Sequence, residues 1–357
     1  MEPIRFVHTS DWSLAPPYGF APGDVADKLR KLQQKAIEAF IEQLIQDEEV
    51  PHFLFITGDL FSEPTPSLDS VGWLRTLFLR LRDRKVQVCV LRGRTDPKDP
   101  SWAEGTGVRL FQEEAREEVG PCTIHALPPQ EARQGENLLR HLVGTEETEF
   151  LLYEGHLLDD GHREAECHPF RAEDLARLPY KYVALGGRPS VQVFREAQGT
   201  CAAYAGSPFA TSFSRGHLGN RFFIRGCIAQ DSVQVDPLRL GVPEFGAVDL
   251  DCTGRAPEEL LGQLEKECRS VSILRVVLEG TPSLRTFSFQ DTIRKALSRV
   301  VWLDLETHFK GIDLGEDGHA LVKRFLQSLE TQGGLDDPTR QVALELGVKA
   351  LLGSKDG

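Results

Sequence analysis

The sequence predicts an α/β protein: a sandwich of two sheets flanked by helices, then a small α/β domain, then a helical tail. Three observations predict it. Short apolar runs alternate with helix-length amphipathic segments as far as residue 91. From residue 138 the strand-like runs crowd together with few helices between them. After an interruption at Gly241 and Pro243, a second and shorter alternation begins.

In chain order, Ile4 to His8 reads as a strand. Val25 to Asp47 reads as a helix, because Leu29, Leu32, Ile37, Phe40, Ile41 and Leu44 recur on one face. His52 to Thr57 is an apolar strand ending in Gly58-Asp59, Leu68 to Arg84 a second amphipathic helix, and Val86 to Leu91 a third strand. Further strands are expected at 138–143, 149–153, 182–185, 191–194, 201–205, 221–228 and 233–236, with a helix over 172–178. Beyond the break the pattern gives strand 247–250, helix 257–268, strand 272–278, helix 289–297 and strand 300–305. A Gly/Asp-rich stretch and two helices, 319–329 and 338–351, close the chain. The predicted domains are therefore residues 1–238, 239–308 and 309–357.

Composition narrows the function. The 357 residues are 40% hydrophobic and 27% charged, which excludes collagen-like, disulfide-framework and wholly disordered classes. A net charge of −13 argues against tight, autonomous binding to bare DNA or to an anionic membrane. The seven cysteines are odd in number, scattered and without a C-x-x-C pair, as expected of reduced thiols. No basic and apolar leader opens the sequence and no apolar run is long enough for a bilayer. The expected location is the cytoplasm, with no membrane partner.

Candidate chemistry sits in turns that follow strands. They are HTSDWSLA (8–15), GDLFSEPTPS (58–67), LRGRTD (91–96), LLYEGH (151–156) and ALGGRPS (184–190), with YAGS at 204–207. In order and spacing this set resembles the calcineurin-like metallophosphoesterases. More narrowly, it is similar to the SbcD-type DNA-repair exonucleases, which work with SbcC-type, SMC-like ATPases. The resemblance covers about residues 3–236, and the following unit is similar to that family's capping domain. It implies a two-metal centre that polarises a phosphodiester and generates a hydroxide. The ligands would be carboxylates and neutral imidazoles held on strand ends.

Carried over residue by residue, the resemblance fails at most ligand positions. Asp11 and Asp59 keep two carboxylates, and Glu154 stands where an HG histidine is expected, as a third candidate. Ser13 replaces the imidazole of D-x-H, Arg94 the metal-binding amide and Thr95 the catalytic imidazole. Gly187 and Pro189 replace both histidines of GHxH. Serine and threonine are weak ligands, glycine and proline offer none, and Arg94 brings a fixed cation. The expectation is that Arg94, with Arg188, replaces the metals in an internal ion-pair core. No cofactor is then needed. The contrasting expectation is a Mn²⁺-dependent nuclease that recruits Glu154, Asp96 or His156.

His156, His162, Cys167 and His168 are dense enough to suggest zinc, but their spacing matches no zinc fold. His8 is expected to be structural. Motifs for a serine nucleophile or a P-loop are absent. Arg215, His217, Arg221 and Arg225 form a basic cluster, a candidate for contact with nucleic acid. Leu321, Phe325, Leu326 and Leu329, then Val342, Leu346 and Leu351, make apolar stripes on the C-terminal helices. The stripes themselves are expected to pack on their own domain, whereas the resemblance implies that such helices grip an ATPase coiled coil. The expected function is thus a catalytically inactive SbcD-like subunit of a DNA-repair or DNA-processing complex with an SMC-like ATPase, with a homodimer also implied. The alternatives are the active nuclease and an interaction module without a DNA role.

Overall fold

The computed structural model describes residues 2–142, 148–158, 168–195, 200–230, 232–314, 320–331 and 336–353. Two compact units divide the chain, Met1–Pro243 and Glu244–Gly357.

In the first unit, the apolar run Ile4–Ser10 forms strand β1, and helix α1 follows at Gly23–Gln46. Strand β2 (Phe53–Thr57), helix α2 (Leu68–Asp83) and strand β3 (Gln87–Leu91) continue the alternation. Three strands not anticipated come next: β4 (Arg109–Phe111), β5 (Ala115–Val119) and β6 (Cys122–Leu127). The run at Leu138–Leu142 is a 3₁₀ turn, not a strand. Beyond it lie β7 (Thr148–Glu154), the short β8 (His156–Leu157) and β9 (Pro169–Phe170), α3 (Ala172–Leu175) and β10 (Tyr180–Gly186). The unit ends with β11 (Gln192–Arg195), β12 (Cys201–Tyr204), β13 (Phe222–Ala229) and β14 (Ser232–Arg239).

Two mixed six-stranded sheets result, in the orders β14-β13-β1-β2-β3-β4 and β11-β12-β10-β7-β6-β5. Their inner faces share one core, with Phe6, Phe53 and Phe55 of the first meeting Phe150, Tyr182 and Ala184 of the second. Helices α1 and α2 cover the outer face of the first sheet through Ile37, Phe40, Leu74 and Phe78. This is the predicted sandwich with helices outside. His8 lies wholly inside it, its Nδ1 2.9 Å from the Tyr182 hydroxyl and its Nε2 2.8 Å from Thr57 Oγ1. Burial lowers its pKa to about 3, so the imidazole is neutral and can serve both partners. Removing one of these bonds with Tyr182→Phe should cost about 1 kcal/mol in urea denaturation, the usual net worth of a buried hydrogen bond.

In the second unit, β15 (Glu244–Asp251), β16 (Val271–Gly280) and β17 (Trp302–Phe309) form a parallel three-stranded sheet. Helices α4 (Pro257–Glu267), α5 (Leu284–Phe287), α6 (Gln290–Ala296), α7 (Ala320–Thr331) and α8 (Asp337–Gly353) accompany it. Val322, Leu329, Leu344 and Val348 pack into the same core as Leu250, Leu274 and Ile293. The last two helices are therefore part of this unit and not a separate tail after residue 308. Val342 and Leu346 of α8 remain exposed. Among the described residues no helix is long and apolar enough to cross a membrane.

Candidate functional site

Parallel strands β1, β2 and β3 of one sheet, and β7, β10 and β12 of the other, carry their C-terminal ends to one edge of the sandwich. That arrangement gathers the turns singled out above, as open α/β sheets do with ligand-binding loops. Main-chain bonds stitch them together. Asp11 N–H donates to Gly58 O (3.2 Å), Ser13 N–H to Asp59 O (2.8 Å), Gly58 N–H to Leu91 O (3.0 Å) and Gly155 N–H to Gly186 O (3.3 Å). Asp11 and Asp59 both adopt left-handed backbone, with φ of 49° and 37°. Such strain at non-glycine residues persists only where the surroundings impose it. At Gly93 a Cβ would lie 2.0 Å from the Asp59 nitrogen, so this turn must be glycine.

The structure brings Asp11, Asp59 and Glu154 together. Asp11 is buried, and its carboxylate accepts from the Gly187 N–H at 3.2 and 3.3 Å. Burial, reinforced by the Asp59 charge, pushes its pKa up to about 7. Glu154 is 2% exposed, and its Oε2 has no hydrogen-bond partner among the described residues. Its carboxyl lies against Gly58, where a Cβ would stand 2.5 Å from Oε2. Burial, then the charges of Asp59, Asp11 and Asp96, push its pKa well above the usual carboxylate range.

Asp59 Oδ1 accepts from Thr95 twice, from its N–H at 2.9 Å and opposite its Oγ1 at 2.9 Å. Thr95 Oγ1 also lies 2.5 Å from Phe61 O, and its single proton must serve both oxygens. Thr95 is here a clamp on the Asp59 turn. Asp96 accepts from Phe61 N–H and Gly93 N–H, both at 2.8 Å, so each of its oxygens is committed to main chain. Burial pushes its pKa up to about 6. It braces the turn and is not a free ligand.

Several expectations are corrected. Arg94 is exposed, not buried. Its charge favours ionised Glu154, but less than burial and three carboxylates oppose it. Arg188 reaches the Asp11 carboxylate through its main chain. Its guanidinium instead stands over the Tyr204 ring at 5.8 Å, with Nε donating to Ser190 Oγ at 3.1 Å. Ser13 contributes main chain, its carbonyl accepting from Gln33 Nε2 at 3.2 Å. Gly187 supplies its N–H to Asp11, and Pro189 supplies a carbonyl, described next.

The basic cluster is not one surface. Arg221 is 4% exposed, and its guanidinium donates to four main-chain carbonyls. These are Pro189 O (2.9 Å), Gly216 O (3.1 Å), Leu218 O (3.0 Å) and Asn220 O (3.1 Å). It staples the 216–220 loop to the Pro189 turn. Arg225 is paired with Asp47. His217 is half-buried and neutral, since burial lowers its pKa to about 4. Of the four residues only Arg215 is exposed. The zinc candidate also fails where it is described. His168 is buried, its Nε2 accepting from Gln130 N–H at 2.8 Å and its Nδ1 facing Glu136 O at 3.4 Å. Both ring nitrogens are thus spent. His162 and Cys167 lie outside the described residues, and His156 is half-buried.

The donor set does not fit a two-metal centre. Among the described residues it gathers three carboxylates and no imidazole, and two of the carboxylates also accept main-chain N–H bonds from Gly187 and Thr95. Among the described residues no three His, Cys, Asp or Glu side chains converge as metal ligands.

No protein-family model matches the chain, and no curated protein matches it. A solved structure similar to it is a conserved uncharacterised protein from Streptococcus pneumoniae, described as a predicted phosphoesterase. The two share 14% identity over 68% of this chain and 94% of that one, with a TM-score of 0.34.

Proposed function

We propose that this chain is a non-catalytic, SbcD-like subunit of a DNA-repair or DNA-processing complex built with an SMC-like, SbcC-type ATPase. The observation that carries the loss of hydrolysis is at Asp59. The carboxylate that would bridge two ions is clamped by Thr95, the residue standing where a catalytic imidazole belongs. Asp11 is likewise held by a main-chain N–H in place of a metal. The motif order supports the kinship with such subunits, and the net charge of −13 supports contact with DNA through a partner.

The test has two arms. Full-length protein with Mn²⁺ should not hydrolyse bis(p-nitrophenyl) phosphate above the buffer rate, and it should co-purify with a co-expressed coiled-coil ATPase. One observation favours the rival reading, an active enzyme with non-standard ligands: Glu154 Oε2 is a buried carboxylate oxygen without a partner. Mn²⁺-dependent turnover that disappears in Asp59→Asn would establish that rival. Failure to recover any ATPase would leave a fold-derived interaction module without a DNA role.

A further inference from the structure

A cavity of about 240 Å³ opens beside the N-terminal end of β1, the end of that strand away from Asp11. The strand register builds it. Arg5 lies beside Cys227 and Val7 beside Arg225, while Arg225 lies beside Asp236 of β14. Alternation places these side chains on the face that α1 covers, where Val7 already packs. Helix α1 ends at Gln46, so the face is uncovered beyond Leu44, and Glu49 and Pro51 wall the gap.

The lining is mixed in a specific way. Val7, Leu44 and Pro51 supply apolar surface. Two arginines, Arg5 and Arg225, are balanced by two acids, Glu49 and Asp236. Arg225 is held by Asp47, whereas Arg5 reaches Glu49 only at 3.9 Å. The Arg5 Nε is closed to solvent, while the side chain as a whole stays 34% exposed. With Arg225 taken up by Asp47, one cation, Arg5, stands opposite two acids, Glu49 and Asp236, so a plain anion is disfavoured and a ligand carrying both charges can meet both signs.

We propose that this cavity binds a small zwitterion with an apolar body, an aliphatic α-amino acid being the chemical class. Its carboxylate satisfies Arg5, its ammonium faces Glu49 and Asp236, and its side chain rests on Val7, Leu44 and Pro51. The volume equals the share of about eight water molecules, enough for a solute the size of leucine. The site stands apart from the carboxylate edge, so it holds whether or not the proposed complex does.

Isothermal titration of the full-length protein with L-leucine tests it. Saturable binding is expected. Isocaproate, which lacks the ammonium, and isoamylamine, which lacks the carboxylate, should each bind at least about tenfold more weakly, since either loss leaves a wall charge unmet. Arg5→Gln removes the guanidinium, and Cys227→Leu fills the space. Both should weaken leucine binding by a similar factor while keeping the wild-type melting curve. If Arg5→Gln does not fold, Cys227→Leu decides. No saturable heat with the folded wild type would overturn the proposal. So would isocaproate binding as tightly as leucine, or affinity unchanged in the folded variants.

Discussion

Replacing Arg221 by alanine is expected to lower stability by about 3 kcal/mol, because buried carbonyls that lose their donors each cost about 1 kcal/mol or more. Four main-chain carbonyls, at Pro189, Gly216, Leu218 and Asn220, receive its guanidinium. With the side chain gone, the part-buried carbonyls of Gly216, Leu218 and Asn220 lose this donor, while Pro189 O keeps the Ser207 N–H at 3.2 Å. Arg221→Lys should recover only part of the loss. An ammonium offers three donors from one point, whereas the planar guanidinium spreads five along a fork. Urea denaturation at pH 7 measures both. A loss under about 1 kcal/mol for Arg221→Ala would mean that water replaces the guanidinium at little cost. Arg221 would then be no staple.

Glu154→Gln is expected to stabilise the protein at pH 8, by about 2 kcal/mol, and to flatten its pH dependence. The sign follows from proton counting. Unfolded carboxylates release their protons near pH 4. Folded Asp11 holds its proton up to about 7 and Asp96 up to about 6, and Glu154 is raised well above its usual range. Between those values the folded state binds more protons than the unfolded one, so stability falls as pH rises. The penalty begins near pH 4 and is complete only above the folded pKa values. Glutamine keeps the shape of the Glu154 side chain, carries no charge and relieves Asp11 of a neighbour. At pH 4.5 the variant and wild type should nearly coincide. Melting curves from pH 4.5 to 8.5 read this out. A wild type whose stability rises over that range, or a variant less stable at pH 8, would contradict the account.

Long, strongly periodic elements were legible in the sequence. The face of Leu29, Ile37, Phe40, Ile41 and Leu44 gives α1 almost to its ends, and the apolar runs at 53–57 and 87–91 give β2 and β3. Strands β4 and β5 were not legible for local reasons. Arg109–Phe111 is only three residues long, and Ala115–Val119 reads AREEV, with charges on its open face. LLRHL at 138–142 is a short apolar run whose period cannot separate strand from helical turn.

At the site, the positions of Asp11, Asp59, Thr95 and Glu154 could be read, because their turns follow strands in a set order. What compensates the missing imidazoles could not. The sequence points to arginine as the substitute cation, and it gives no sign of the N–H groups of Gly187 and Thr95 that meet Asp11 and Asp59. Main-chain donors leave no signature in side-chain identity. Arg221 was misread for a related reason, since a buried staple and a solvent-facing nucleic-acid contact share one letter. Gly216 and Gly219 beside it were the available hint of a tight loop in need of a donor.

The claim at the centre is that this strand edge holds its carboxylates by main-chain donors and not by a pair of metal ions. Elemental analysis of the full-length protein, saturated with manganese and then desalted, measures this most directly. The account predicts well under one tightly held manganese per chain, unchanged in Asp59→Asn. Two per chain, lost in that variant, would contradict it.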